Sequence, residues 1–259
     1  QLPRGRFLVN VDEAQTMPDL HIDSAYVTFI TTASYVPGVE ALLESLVETG
    51  TQFPLVILTP EPVPADLAAA LAHVVECSKT LPVKAQVVHV PALENPYQRH
   101  QVRYGGTIMS KLYIFSERIG ARRILYLDCD VLVLRSLDHL FQRFRKGMLS
   151  SAHDCGFGCQ DHRPNTGVIG TMPDEATLEN LLREVGRIAS YDGADQGFLT
   201  TYFAELKRQG GWDELPQAYN TLKRRYAFND WKWDELHVLH YVGQKPWQNN
   251  PKEDKIYFG

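Results

Sequence analysis

The chain has 259 residues, 44% of them hydrophobic and 22% charged, with a formal net charge of -5, enough for one α/β domain with a sizeable core. Acidic and basic residues are interspersed and form no cationic block, which argues against nucleic acid or an anionic membrane as partner. No run of about eighteen apolar residues could span a bilayer, and the opening Gln1-Leu2-Pro3-Arg4-Gly5 lacks the apolar core of a signal peptide.

The first strong strand is Tyr26 to Ile30, rich in β-branched and aromatic residues, and the turn-prone Thr31-Thr32-Ala33-Ser34 follows it. Val39, Leu42, Leu43, Leu46 and Val47 recur at helical spacing, and Gly50 closes that helix. A short strand, Leu55 to Leu58, leads to a second amphipathic helix from about Pro64, with Leu67, Leu71, Val74 and Val75 on one face. A third strand, Gln86 to Val90, precedes a loop with Pro91 and Pro96, a helix around Lys111 to Arg118, and a fourth strand, Ile124 to Leu127. Strands and helices thus alternate, and the apolar strands are unbroken. The expected fold class is α/β, a single Rossmann-like domain whose mostly parallel central sheet is flanked by helices.

Beyond Leu134 the pattern is less regular. Leu137 to Phe144 reads as a short helix, Asp174 to Ser190 as a longer one, and the last forty or so residues as aromatic loop. Without a repeat or linker, the second half completes the same domain: residues 1–24 are expected as an N-terminal extension and 25–259 as the domain. Cys77, Cys129, Cys155 and Cys159 make no disulfide framework, and no Asn-x-Ser/Thr sequon occurs, so a reducing, cytoplasmic compartment is expected. The chain does not begin with Met, which leaves a removed anchor or a neighbouring domain open. His153, Cys155, Cys159 and His162 have residue types suited to zinc but not a zinc spacing, and they read as a loop beside the site.

Asp128 and Asp130 stand between two apolar runs, Ile124 to Leu127 and Val131 to Leu134. Carboxylates at the end of a buried strand need a partner, and a divalent cation carrying a diphosphate would be one. Four more clusters accompany them: Thr107-Ile108-Met109-Ser110-Lys111-Leu112, Asn165-Thr166-Gly167-Val168, Asp192-Gly193-Ala194-Asp195-Gln196-Gly197 and His240-Tyr241-Val242-Gly243-Gln244-Lys245-Pro246-Trp247. Each alone is an ordinary turn or surface loop.

Together, and in this order, they resemble the retaining glycosyltransferases of family 8, which have the GT-A fold. The resemblance runs from about Ala25 to Trp247. Tyr126 to Val131 is similar to the D-x-D strand of that family, and the final cluster to its H-x-x-G-x-x-K-P-W signature, here one residue shorter between Gly243 and Lys245. It implies Asp128, Asp130 and His240 as ligands of Mn²⁺ or Mg²⁺, and a UDP-glucose or UDP-galactose donor. Thr31, Thr32 and Tyr35 would cradle the nucleotide, although an Asn expected after the threonines is absent. Cys129 and Gly243 would belong to the donor-binding residues, and Lys245 would add positive charge to the diphosphate. Lys111 would reach the donor sugar or its phosphate, and Asn165, Thr166 and Gly167 would approach the sugar. Asp192, Asp195, Gln196 and Lys245 would serve the transfer, Asp195 near the anomeric carbon as stabiliser or as nucleophile. A glycan, polyol or protein hydroxyl would be the acceptor, with Tyr226 as a self-glucosylation candidate, and a homodimer is an option.

Two other readings compete. A strand ending in Asp-x-Asp also opens haloacid-dehalogenase-type phosphatases, but those place it near the start of the domain and continue with Gly-Thr, whereas Val131-Leu132 follow here. A non-catalytic nucleotide-sugar-binding domain would be favoured by damage at the metal or anomeric positions, yet Asp128, Asp130, Asp195, His240 and Lys245 are all present.

Overall fold

The computed structural model describes residues 22–97, 106–155, 163–207, 211–226 and 232–248. The expected extension lies mostly outside them, as do Cys159 and His162 of the zinc-type cluster. Four strands come first in the sheet: β1 (Ile22–Phe29), β2 (Leu55–Pro60), β3 (Ala85–Val90) and β4 (Ala121–Leu127). All pair in parallel, in the order β3-β2-β1-β4. Helix α1 (Val36–Glu48) joins β1 to β2, and α2 (Ala65–Ser78) joins β2 to β3.

Side chains alternate across the sheet, and each face has its own core. On one face Tyr26, Ile57, Leu125 and Leu127 pack with Val39, Leu42, Leu43 and Leu46 of α1 and Leu67, Leu71 and Val74 of α2. On the other, Val27, Val56, Ile124 and Tyr126 meet Leu112, Phe115, Leu178, Leu181, Phe198 and Phe203. Coverage on both faces explains why β1, β2 and β4 read as unbroken apolar runs.

The sheet continues past β4 through β7 (Val168–Thr171), β6 (Leu149–Ala152) and β8 (Trp212–Leu215), giving the order β3-β2-β1-β4-β7-β6-β8. β7 is antiparallel to both β4 and β6, while β6 and β8 are parallel. A smaller sheet combines β5 (Val131–Val133), β10 (Val238–His240) and β9 (Thr221–Leu222), in the order β5-β10-β9. The expected α/β architecture with a mostly parallel central sheet is therefore present. Among the described residues no helix is long and apolar enough to cross a membrane.

Several elements differ from expectation. The helix expected around Lys111 to Arg118 is a 3₁₀ segment, Ile108–Phe115, and the one over Leu137 to Phe144 is a 3₁₀ turn, Asp138–Gln142. Helix α3 (Glu175–Glu184) starts where the Asp174 carboxylate accepts from Thr177 N–H at 2.9 Å, and it ends before Val185, whose backbone leaves the helical region. Asp192-Gly193 is a turn, but it leads into α4 (Asp195–Lys207), a helix the residue pattern did not signal. The C-terminal segment read as loop carries β9, the short α5 (Lys223–Tyr226) and β10.

Candidate active site

β1 and β4 are parallel neighbours with Val27 opposite Tyr126, so the bend at Thr31 and Thr32 and the aspartates after β4 lie at one edge of the sheet. Open α/β sheets bind ligands at the carboxyl ends of their strands. Asp128 N–H donates to the Gly167 carbonyl at 2.8 Å, which draws the Asn165-Thr166-Gly167 turn against the aspartate strand. β5 then pairs antiparallel with β10, His240 opposite Val131. Tyr241 N–H donates to the Asp130 carbonyl at 2.9 Å.

That pairing brings His240 to the aspartates. One ligand atom from each of Asp128, Asp130 and His240 lies within 4.8 Å of the others. His240 Nε2 is 3.2 Å from Asp130 Oδ1 and 3.7 Å from Asp128 Oδ2. The other ring nitrogen, Nδ1, faces Asn220 Oδ1 at 2.9 Å. Asn220 Nδ2 donates to Asn165 Oδ1 at 2.7 Å, which leaves its oxygen to accept from Nδ1–H. With Nδ1–H so engaged, the Nε2 lone pair is available to a metal, and the three groups could share one cation. Two carboxylate oxygens and one imidazole fit a divalent ion of the manganese or magnesium type. Burial opposes ionisation of Asp130, but the His240 ring, when protonated rather than bound to a metal, and Lys245 outweigh it and hold the carboxyl well below the usual carboxylate range.

Lys245, buried like Asp130, donates to Asp130 Oδ2 and to the Tyr241 carbonyl, the latter at 3.0 Å. The turn that returns it to the aspartates passes through Gly243 at φ +88, a backbone region that glycine tolerates. Trp247 packs edge-on against Tyr35 with ring centroids 6.0 Å apart, and Lys245 Nζ stands 6.0 Å from the centre of the Tyr35 ring. Gly38 leaves room for this indole: a Cβ there would lie 2.5 Å from it and 2.2 Å from the Cys129 carbonyl. Trp247 is thus the packing residue that clamps the C-terminal segment onto α1. Thr32 shares a hydrogen bond with Ser34 at 2.9 Å in the bend after β1.

A second cluster adjoins the first. Lys111 Nζ is 3.1 Å from Asp128 Oδ1 and 3.0 Å from Asp195 Oδ2, and it donates to the Thr166 carbonyl at 2.8 Å. Burial pulls its ammonium pKa down, but Asp128 and Asp195 more than offset that and raise it. The Thr166 hydroxyl donates to Asp195 Oδ2 at 2.8 Å, and Thr166 N–H to Gln196 Oε1 at 3.1 Å. Gln196 Nε2 donates to Asp154 Oδ2 at 3.0 Å and to the Tyr191 hydroxyl at 2.9 Å.

Two expected residues have structural engagements. Asp192 Oδ1 accepts from Ser190 Oγ at 2.8 Å and from Ala194 and Gly197 N–H at 2.9 Å each, which organises the start of α4. Cys129 buries its side chain in the core with α1, and burial, then Asp130 and Asp128, push its thiol pKa well up. His153 pairs with Glu214 at 2.6 Å, and Cys155 is disulfide-bonded, while Cys77 and Cys129 are free. This bond removes part of the ground for expecting a reducing compartment. Asp154, Asn220 and Tyr191 were missed in the sequence. Asp154 lies inside the stretch read as mere loop, and Asn220 two residues before Leu222, which is opposite His240 across the β9-β10 pairing.

No family model matches the chain. It is 29% identical over 248 residues to the inositol phosphorylceramide glucuronosyltransferase 1 of Arabidopsis thaliana, a match spanning 86% of this chain and 42% of that protein. A glycogenin of Cryptococcus neoformans is 29% identical over 258 residues, 90% of this chain and 27% of its own length. Glycogenin-1 of Oryctolagus cuniculus is 30% identical over 237 residues, 87% of this chain and 66% of its own. The chain therefore spans less than half the length of the first two. Among solved structures, the galactosyltransferase LgtC in complex with donor and acceptor sugar analogs superposes with a TM-score of 0.65 at 17% identity, covering 91% of this chain and 92% of LgtC. The glycosyltransferase GlyE of Streptococcus pneumoniae gives 0.63 at 18%, covering 88% and 57%. Likeness at that identity establishes the fold, GT-A, and the curated relatives supply the rest: the chain belongs to glycosyltransferase family 8.

Proposed function

We propose that the chain is a retaining, metal-dependent glycosyltransferase that moves a hexose from a UDP-sugar to a hydroxyl acceptor such as a glycan or polyol. The observation that carries this reading is the convergence of Asp128, Asp130 and His240 on one point, with Lys111 bonded to Asp128 and joining it to Asp195 and Thr166. A divalent cation bound there would act as Lewis acid on the donor diphosphate. Lys245 adds positive charge where the leaving group departs, and Lys111 holds the Asp128 and Asp195 carboxylates together.

Asp195 Oδ2 accepts from both Lys111 and Thr166, and an oxygen so occupied is a weak nucleophile. This supports a stabilising and orienting role for Asp195 over a covalent one. Thr31, Thr32 and Tyr35 are assigned to the nucleotide, and Asn165 and Gly167 to the sugar. The assignment rests on their position at the carboxyl ends of β1 and β4.

The test is a panel of UDP-glucose, UDP-galactose and UDP-glucuronate with Mn²⁺, read as UDP release; the relatives named as glucuronosyltransferases put the third donor in it. Asp130→Asn, which removes a ligand charge at constant volume, should abolish metal-dependent release while circular dichroism stays native. Full release in that variant, or none from any donor with the parent chain, overturns the proposal.

A further inference from the structure

Tyr191 and Trp233 are the large hydrophobic side chains exposed among the described residues, Tyr191 at 45%. A single exposed aromatic is ordinary, but Tyr191 occupies a particular place. Its hydroxyl accepts from the Gln196 amide that also holds Asp154, and Gln196 Oε1 accepts from Thr166 N–H, beside Asp195. The ring therefore stands one hydrogen bond from the cluster assigned to the donor sugar. The Arg163 guanidinium lies over the ring, 4.1 Å from its centre, a contact that braces the ring from one side.

We infer that Tyr191 is a stacking platform for the ring of the acceptor, a pyranose or cyclitol; this rests on the glycosyltransferase reading above. The C–H face of such a ring is apolar and its hydroxyls radiate from the edge, so it suits the face of an aromatic beside polar groups. Tyrosine offers that area with few rotatable bonds to immobilise. In the transfer this serves, the acceptor oxygen bonds to the anomeric carbon as the bond from that carbon to the diphosphate breaks. The acceptor proton leaves with UDP or to water, and nothing is oxidised or reduced.

The experiment compares the parent chain with Y191F and Y191A, using the donor that releases UDP and myo-inositol, maltose and lactose as probes. Y191F keeps the ring and loses the bond to Gln196; Y191A loses both. The acceptor KM should rise about three- to tenfold more in Y191A than in Y191F. Equal losses in the two variants would overturn the platform and make Tyr191 a positioning residue acting through Gln196. UDP release by the parent chain without transfer to any ring probe would also overturn it. Absence of UDP release from every donor would instead sink the glycosyltransferase reading itself.

Discussion

Asn220 donates its side-chain amide to Asn165 at 2.7 Å, and this buried contact ties the His240 side of the site to the Asn165-Thr166-Gly167 turn. It extends in both directions, since Asn165 Nδ2 reaches Asp154 at 3.3 Å and Asn220 Oδ1 faces His240 Nδ1 at 2.9 Å. The amide thus orients the imidazole without touching the aspartates.

Asn220→Ala should accordingly weaken Mn²⁺ binding although all three ligands remain. Removing the partner that fixes a metal-ligating histidine costs roughly 10–100-fold in metal affinity. Calorimetric titration of the nucleotide-free protein with Mn²⁺ measures it, and an unchanged affinity would show that Asn220 does not set the ring orientation.

Lys111 gives a stability prediction. It is 3% exposed and pairs with two carboxylates, so Lys111→Met would leave Asp128 and Asp195 facing an apolar side chain. Breaking a buried ion pair from one side costs roughly 3–5 kcal/mol. Denaturant unfolding should show that loss, and a stability within experimental error of the parent would mean that water or rearrangement compensates the carboxylates.

How much of this was legible in the residues depended on distance along the chain. The strand that delivers Asp128 and the helix over Val39 to Val47 are local patterns, set by side-chain periodicity, and both formed as expected. The ligand set depended on a pairing more than a hundred residues apart, His240 against Val131, and only the motif resemblance supplied it. Asn220 and Asp154 carried no local signal, because their roles exist only once β9 and β6 are in place. Helix α4 was obscured because Asp192-Gly193 is a turn, and the helix after it, Asp195–Lys207, shows little separation of polar and apolar residues.

Tyr26 carries a pH dependence. Its hydroxyl, buried under α1, donates to Asp138 at 2.6 Å, and burial first, then Asp138, raise its pKa far above the ordinary phenol value. A raised folded pKa means that the stability it contributes is complete below the unfolded value, about 10. That contribution falls as pH climbs from there towards the folded value. Over this alkaline range the parent chain should lose up to about 1.4 kcal/mol per pH unit more than Tyr26→Phe, which has no proton to release. Denaturant unfolding at stepped pH compares the two, and parallel curves above pH about 10 would refute the assignment.

Gly167 separates the cost of packing from the cost to the metal centre. A Cβ at this position would lie 2.2 Å from His240 Cε1 and 2.7 Å from Nδ1, so Gly167→Ala must push the imidazole from its place. Gly170, in β7 just after it, offers the control, because its Cβ would meet Phe144 Cε1 at 2.0 Å, in the core beneath the sheet. Both substitutions overpack, at roughly 1–3 kcal/mol each. Only Gly167→Ala should also lower Mn²⁺ affinity, about tenfold or more by the reasoning applied to Asn220. Thermal unfolding and Mn²⁺ titration of the two variants side by side decide the matter, and equal metal affinities would place His240 outside the ligand set.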